Sequence, residues 1–289
     1  MGGSIARKLL SEGQQVVVCD VQAEAVKASG AKLVAGTPSE LVAELAAKCS
    51  GSPGSSGSPG SIVIVVVRND GEVREVVCGE KGILAGVSES WIHNKQAGEQ
   101  AKPVVLIHST VQPETVKDVA QICAKEGITV LDAPVTGGAG ATENGDLVVM
   151  LGGDEKVCAE VAPKLSHYAG KVVRVGALGA GQKAKIARNL ITYSEWVVAA
   201  EATALAEAAE VDVEQLWEII DHSDRHIGTH GGYSGVRRLL PAPEMMQPLA
   251  ELARKDLSLA AELARKVDHN SWLAERAIDN IAQTLKLEQ

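Results

Sequence analysis

A lysine and an asparagine four residues apart are the residues with the clearest chemical potential in this sequence. Lys185 and Asn189 follow the glycines of the segment 176–181. Residues at this spacing share one face of a helix, and the glycines leave room for a ligand to approach the backbone. A lysine desolvated beside a ligand can have its pKa lowered towards neutrality and then exchange a proton near pH 7. The alternative is an ordinary solvated lysine on a helix, and this is our interpretation of Lys183.

A second segment places a hydroxyl beside two glycines. Thr136, Gly137 and Gly138 follow the apolar run at residues 128–131 and the sequence Asp-Ala-Pro-Val. The hydroxyl and two unhindered backbone N–H groups could hold a carboxylate without a cation. A simple tight turn is the alternative interpretation.

Gly2 and Asp20 have the spacing of part of a dinucleotide-binding fingerprint. In that fingerprint a glycine lets helix and sheet pack closely, and a carboxylate about 20 residues later binds the adenosine ribose. The signal is weak alone, because aspartates commonly end strands. No first strand or G-x-G turn precedes Met1. We therefore expect a chain truncated at its front, with open strand edges at Gln15 and Ile62 and weakened cofactor binding.

Short β-branched runs alternate with helical patterns, which predicts βαβ units on a mostly parallel sheet. Strands are predicted at residues 15–19, 62–67, 104–107, 128–131, 147–151 and 171–175. Helices are predicted at residues 5–12, 39–48, 72–77, 113–125 and 155–165, and a long one at 183–210. We therefore predict a Rossmann-like domain over residues 1–176 and an all-helical domain over 177–289, with the active site in the cleft between them.

Three further candidates follow predicted strands. Thr110 comes after the strand at 104–107, and Val67 and Arg68 come at the end of the strand at 62–67. Open α/β sheets bind their ligands at the carboxyl ends of the strands. These positions therefore belong to the predicted binding edge.

Taken together, these segments resemble the motif set of the β-hydroxyacid dehydrogenase family, which includes 3-hydroxyisobutyrate dehydrogenase and tartronate semialdehyde reductase. The motifs are Asp132 to Ala139, Gly176 to Asn189, His108-Ser-Thr110 and Lys255-Asp-Leu257. They stand in the family's order, on the strand and helix positions expected for them. The resemblance extends from Met1 to about residue 264.

The resemblance implies reversible hydride transfer between NAD and a small β-hydroxy acid, with Lys185 as general acid and base and no metal. Substrate would be bound by Thr136, Gly137, Gly138 and Asn189. Cofactor would be bound by Gly2, Asp20, Val67, Arg68, Thr110 and Lys255. NAD is favoured over NADP because Val21 and Gln22 follow Asp20, and no adjacent arginine could neutralise a 2′-phosphate. The family also implies a homodimer or homotetramer.

Some positions depart from the family pattern. His108 replaces the usual aspartate before Ser-Thr, no aromatic residue stands seven positions before Lys255, and the C-terminus is shorter than usual. The alternative hypothesis is therefore a catalytically weak or silent relative, such as a truncated gene product, acting as a binding or structural protein.

The composition argues against several other classes. A length of 289 residues is enough for two domains, since single cores stop growing at about 250–300 residues. The net charge of −9, without a basic run, argues against nucleic acid as a partner. No apolar run approaches the roughly 18 residues of a membrane span. The five cysteines form no CxxC pair, so we expect a reducing, cytoplasmic location.

The sequence gives little support to two other chemistries, and it predicts two loops. His222, His226 and His230 recur every four residues, but nearby glycines would break the helix that joint metal binding needs. The sequence around Ser234 lacks one spacer of the G-x-S-x-G hydrolase motif. The Gly/Ser/Pro segment 51–60 predicts a flexible surface loop, and the polar segment 88–101 predicts a second loop.

Overall fold

A computed structural model describes residues 1–49, 61–92, 102–208, 211–227, 243–266, 272–285 and 287. The chain forms two compact units, Met1–Lys185 and Ile186–Gln289. The first combines strands and helices and the second is helical, which confirms the predicted fold class. The predicted loop at 51–60, most of the loop at 88–101, and the positions of His230 and Ser234 lie outside the described residues.

The first unit alternates helices and short strands. Its helices are α1 (Gly2–Ser11), α2 (Ala23–Ser29), α3 (Pro38–Cys49), α4 (Asp70–Cys78), α5 (Ile83–Val87), α6 (Pro113–Ala124), α7 (Gly138–Glu143) and α8 (Glu155–Leu165). Its strands are β1 (Val17–Val18), β2 (Leu33–Val34), β3 (Ile62–Val65), β4 (Val104–Ile107), β5 (Thr129–Asp132), β6 (Val135–Thr136), β7 (Leu147–Gly152) and β8 (Ala169–Gly176). A π-helix, Ser88–Ile92, continues α5, so this part of the predicted loop is helical.

The strands form two sheets. β1 and β2 pair in parallel, and the larger sheet has the order β3-β4-β5-β7-β6 with β8 on β7. β3, β4 and β5 are parallel to one another, as predicted, whereas β7 runs antiparallel to β5 and β6. Among the described residues no strand joins β1 to β3. The sequence analysis predicted neither β2 nor β6, because two-residue strands carry no readable periodicity.

The core packs aliphatic side chains on both faces of the central strand β4. Val105 and Ile107 belong to one buried cluster, whereas Val104 and Leu106 belong to the other. A strand covered on both faces reads as a continuous apolar run, which is why β4 was recognisable from sequence. This burial fixes the end of β4, and it therefore also fixes where the residues after β4 begin.

His108 comes directly after β4 and is buried. One ring nitrogen, Nε2, lies 2.9 Å from the hydroxyl oxygen of Tyr168. Burial lowers the pKa of His108 from its ordinary 6.5 to about 3, because the charged imidazolium would lose its hydration. The folded protein therefore holds this histidine neutral at acidic pH.

We expect this histidine to make the fold acid-sensitive. As pH falls from 6.5 towards 3, the unfolded chain binds a proton at His108 that the folded chain does not bind. The free energy of unfolding should then fall by about 1.4 kcal/mol per pH unit through this group. Urea denaturation at a series of pH values measures the slope, which His108→Gln should flatten and His222→Gln, at an exposed position, should not. An unchanged slope in His108→Gln would contradict the expectation.

The described residues of the second unit form four helices. They are the greater part of α9 (Ala180–Ala208), α10 (Val213–Ile227), α11 (Pro243–Lys266) and α12 (Trp272–Thr284). Tyr193 and Trp196 pack edge to face, with ring centroids 5.1 Å apart, in a cluster that includes Leu257 and Ile281. None of the described helices combines the length and apolarity needed to cross a membrane.

Candidate active site

The loops after β3 and β4 are joined by hydrogen bonds to the start of α9. The hydroxyl oxygen of Ser109 accepts a 2.7 Å hydrogen bond from the backbone N–H of Val67. Gln182 donates from Nε2 to the Ser109 carbonyl at 2.9 Å, and its Oε1 accepts from the Val111 N–H at 3.1 Å. Three structural elements are thus fixed at one edge of the sheet.

Asp132, the last residue of β5, caps α9. Its Oδ1 accepts the backbone N–H of Gly179 and its Oδ2 accepts that of Gln182, both at 2.8 Å. A carboxylate is favourable here because it satisfies helix N–H groups and faces the positive end of the helix dipole. Burial nevertheless raises the pKa of the Asp132 carboxyl, against the lowering effect of these N–H groups. Sequence reasoning identified the surrounding motif but not this role.

Lys185 lies one turn further along α9. Its exposure is only 9%, whereas Lys183 is exposed. Lysines are rarely buried to this extent, so Lys185 differs from an ordinary surface lysine of a helix.

In the helical unit, Asn189 and Lys255 both contact Asp256. The Asn189 amide donates from Nδ2 to Oδ2 of Asp256 at 2.6 Å, and the Tyr193 hydroxyl lies 3.1 Å from the same oxygen. The Lys255 ammonium is 2.9 Å from Oδ1. Burial and the Asp256 charge raise the pKa of Tyr193, which keeps the hydroxyl protonated as a donor. Asp256 was named from sequence only as part of a motif, yet it joins two candidate site residues.

The predicted carboxylate-binding turn is strongly bent. Thr136 ends β6 and is half-buried, and Gly137 and Gly138 have φ values of 126° and 75°. Such values favour glycine. The Thr142 hydroxyl donates to the Gly138 carbonyl at 2.9 Å and so holds the turn.

The predicted cofactor residues of the first unit fall at three places. Gly2 opens α1, and a Cβ there would lie 3.5 Å from Cβ of Val66, so this helix end lies beside the end of β3. Asp20 follows β1, is exposed, and accepts the Gln22 N–H with Oδ1 at 2.8 Å.

The third place is the pair of loops after β3 and β4. Arg68 pairs with Glu72 at 2.6 Å, and this contact lowers the pKa of the Glu72 carboxyl. Val67 donates its N–H to the Ser109 hydroxyl, and Thr110 directly follows Ser109.

Comparison with known families identifies both parts of the chain. Residues 1–176 match the NAD binding domain of 6-phosphogluconate dehydrogenase. Residues 179–287 match the domain described as NAD-binding of NADP-dependent 3-hydroxyisobutyrate dehydrogenase. The chain belongs to the β-hydroxyacid dehydrogenase family. It is an oxidoreductase whose first unit is a Rossmann-like nucleotide-binding domain.

The chain is also similar to individual oxidoreductases. An uncharacterized oxidoreductase of Mycobacterium tuberculosis is 31% identical over 98% of this chain and 90% of its own length. The 3-hydroxyisobutyrate dehydrogenase of Pseudomonas aeruginosa is 30% identical over 96% of this chain and 86% of its own. The L-threonate dehydrogenase of Cupriavidus necator is 30% identical over 77% of this chain and 67% of its own.

Solved structures show the same fold. A 3-hydroxyisobutyrate dehydrogenase from Salmonella typhimurium has a TM-score of 0.75 at 22% identity, covering 99% of this chain and 96% of that one. The Mycobacterium tuberculosis 3-hydroxyisobutyrate dehydrogenase, determined with L-serine, has a TM-score of 0.72 at 24% identity, covering 98% and 89%. Among the described residues of the chain, no group of three or more His, Cys, Asp or Glu side chains is arranged to hold a metal ion.

Proposed function

We propose that this chain oxidises a 3-hydroxy carboxylate to the corresponding 3-oxo acid, reversibly and with NAD, and that Lys185 is its general acid and base. The burial of Lys185 on α9, beside an exposed lysine two residues away, carries the proposal. The nicotinamide supplies the hydride acceptor when it is bound. Nζ of Lys185 takes the proton from the substrate hydroxyl as the hydride leaves the carbon that bears this hydroxyl, and it returns the proton in the reverse direction.

The substrate class follows from what the relatives have in common. The names of those relatives include 3-hydroxyisobutyrate and L-threonate, and the structure of one was determined with L-serine. All three molecules have a carboxylate and a hydroxyl on the third carbon. The Thr136 hydroxyl and the N–H groups of Gly137 and Gly138 are proposed to bind the carboxylate, and Asn189 the remainder of the substrate.

The residues of the first unit fit a dinucleotide. Gly2 is the first residue of α1, a 10-residue helix, and it has no side chain at the point where the helix passes Val66. The start of such a helix favours a phosphate, because its N–H groups are unsatisfied and its dipole end is positive. Asp20 offers an exposed carboxylate to ribose hydroxyls, and its link to the Gln22 N–H orients it. Val67, Arg68, Thr110 and Lys255 are proposed as further cofactor contacts.

A substrate panel tests the proposed function. The purified protein is assayed with NAD⁺ against 3-hydroxyisobutyrate, L-threonate and L-serine, and against L-lactate as a 2-hydroxy control, by the absorbance of the NADH formed. We expect turnover of at least one 3-hydroxy acid and none of lactate. Tight NADH binding without turnover of any 3-hydroxy acid would instead support a catalytically silent relative.

The cofactor preference has its own test at Asp20. Val21 beside it is fully exposed, so an arginine there is tolerated sterically. Asp20→Ala with Val21→Arg should raise the NADP-to-NAD ratio of kcat/KM by roughly tenfold to a thousandfold, since a repulsion of about 1–4 kcal/mol is removed. Steady-state kinetics with both cofactors measure the ratio. A parent protein that already prefers NADP would contradict the proposed NAD preference.

A further inference from the structure

Gln182 is fully buried, although it carries a polar amide with both a donor and an acceptor end. Its Oε1 accepts from Val111 and its Nε2 donates to Ser109, so both ends reach one loop. Its backbone N–H is bound by Asp132. A buried amide with its partners satisfied is costly to replace, because each lost bond leaves a buried polar group unpaired.

The loop that Gln182 holds is also fixed at both ends. Ser109 accepts the Val67 N–H at 2.7 Å, and Oδ1 of Asp70 accepts the Gln112 N–H at 2.9 Å. Thr110 is enclosed between these anchors. The two bonds of the Gln182 side chain connect this loop to the first turn of α9.

Gln182 also stands on the same helix as Lys185. Residues three apart lie on neighbouring positions of one helix face, separated by about 4.5 Å along the axis. A shift of the first turn of α9 relative to the loop would therefore move Lys185 relative to Thr110. The Asp132 carboxylate, which holds the backbone at Gly179 and Gln182, gives the side chain a fixed base.

We propose that Gln182 is a positioning residue that sets the place of Lys185 relative to the Thr110 loop. This inference rests on the proposed function, in which Lys185 moves the proton and Thr110 contacts the cofactor. The hydride leaves the carbon that bears the substrate hydroxyl and the proton leaves the oxygen of that hydroxyl, so both acceptors must be in place together. A misplacement of about 1 Å can lower a rate by roughly a hundredfold.

Two variants separate the bonds of the side chain. Gln182→Met keeps the length and shape but loses both bonds, whereas Gln182→Glu keeps an acceptor for the Val111 N–H and loses the donor to Ser109. We expect kcat to fall by roughly tenfold to a hundredfold in Gln182→Met, and by less in Gln182→Glu. The dissociation constant for NADH should remain at the parent value. The deuterium isotope effect on kcat should rise, because hydride transfer becomes slower than product release.

Amide hydrogen exchange gives a readout without turnover or cofactor. The Val111 N–H should exchange faster than in the parent in Gln182→Met and stay protected in Gln182→Glu. Val161→Ala serves as the control for general destabilisation, since it creates a cavity under α8 within the buried core. It should lower the melting temperature without raising the isotope effect.

The outcomes distinguish this inference from the proposed function. If Lys185→Ala is inactive while Gln182→Met has the parent kcat and isotope effect, the positioning role is wrong and the proposed function stands. If the parent turns over no 3-hydroxy acid, the proposed function fails, and parent-like exchange at Val111 in Gln182→Met overturns the positioning role as well. Should Gln182→Met fail to fold, the same measurements on Gln182→Glu decide, because an isotope effect and kcat equal to the parent's would then overturn it.

Discussion

Replacing Lys185 by alanine should lower kcat by roughly a hundredfold to ten-thousandfold, the usual contribution of general acid–base catalysis. The dissociation constant for NADH should stay unchanged, because the proposed role of this amine is to move a proton and not to hold the dinucleotide. Steady-state kinetics and NADH fluorescence titration measure the two quantities separately. Alanine is the best helix former, so α9 should persist in the variant.

Lys183→Ala is the matched control, since it removes an exposed lysine from the same helix two residues away. It should keep the parent kcat. Lys185→Arg adds a second comparison, because a guanidinium retains the charge but does not deprotonate near neutral pH. A Lys185→Ala variant with more than a tenth of the parent kcat would contradict the proposed role.

The fold class could be predicted because its signal is local. β3, β4 and β7 are apolar runs, and the long helix α9 begins within three residues of its predicted start at residue 183. The ends of helices and strands were less predictable where a side chain forms a hydrogen bond with the backbone at that end. The predicted strand at 62–67 ends at Val65, and the Ser109 hydroxyl takes the Val67 N–H beyond it. Likewise α4 starts at Asp70, before the predicted residue 72, because the Asn69 side chain caps it.

The candidate site divides in the same way. Lys185 and Asn189 could be named as candidates because the nearby glycines, the helical spacing and the family motif are all features of one short segment. The roles of Asp132, Gln182 and Asp256 depend on hydrogen bonds to residues 47, 73 and 67 positions away in sequence. No periodicity carries such information. These three side chains became visible only when the fold placed their partners.

Gly181→Ala should damage both stability and activity, although alanine is normally favoured over glycine within a helix by about 1 kcal/mol. Gly181 lies in the first turn of α9, where a Cβ would overlap the carbonyl oxygen of Met150 and lie 2.7 Å from Oδ2 of Asp132. Both neighbours are fixed, since Met150 belongs to β7 and Asp132 caps the helix. The helix must therefore move away from the sheet, weakening the cap and displacing Lys185.

We expect this overpacking to lower the free energy of unfolding by about 1–3 kcal/mol. The displacement of Lys185 should lower kcat by roughly tenfold to a hundredfold. Urea denaturation and steady-state kinetics measure the two effects. Gly140→Ala is the matched control for stability, because Gly140 is also helical but a Cβ there would meet no atom within 4 Å. Helix propensity alone should then raise its stability by about 0.5–1 kcal/mol. Equal stabilisation in both variants would show that α9 does not pack against Asp132 as closely as the structure requires.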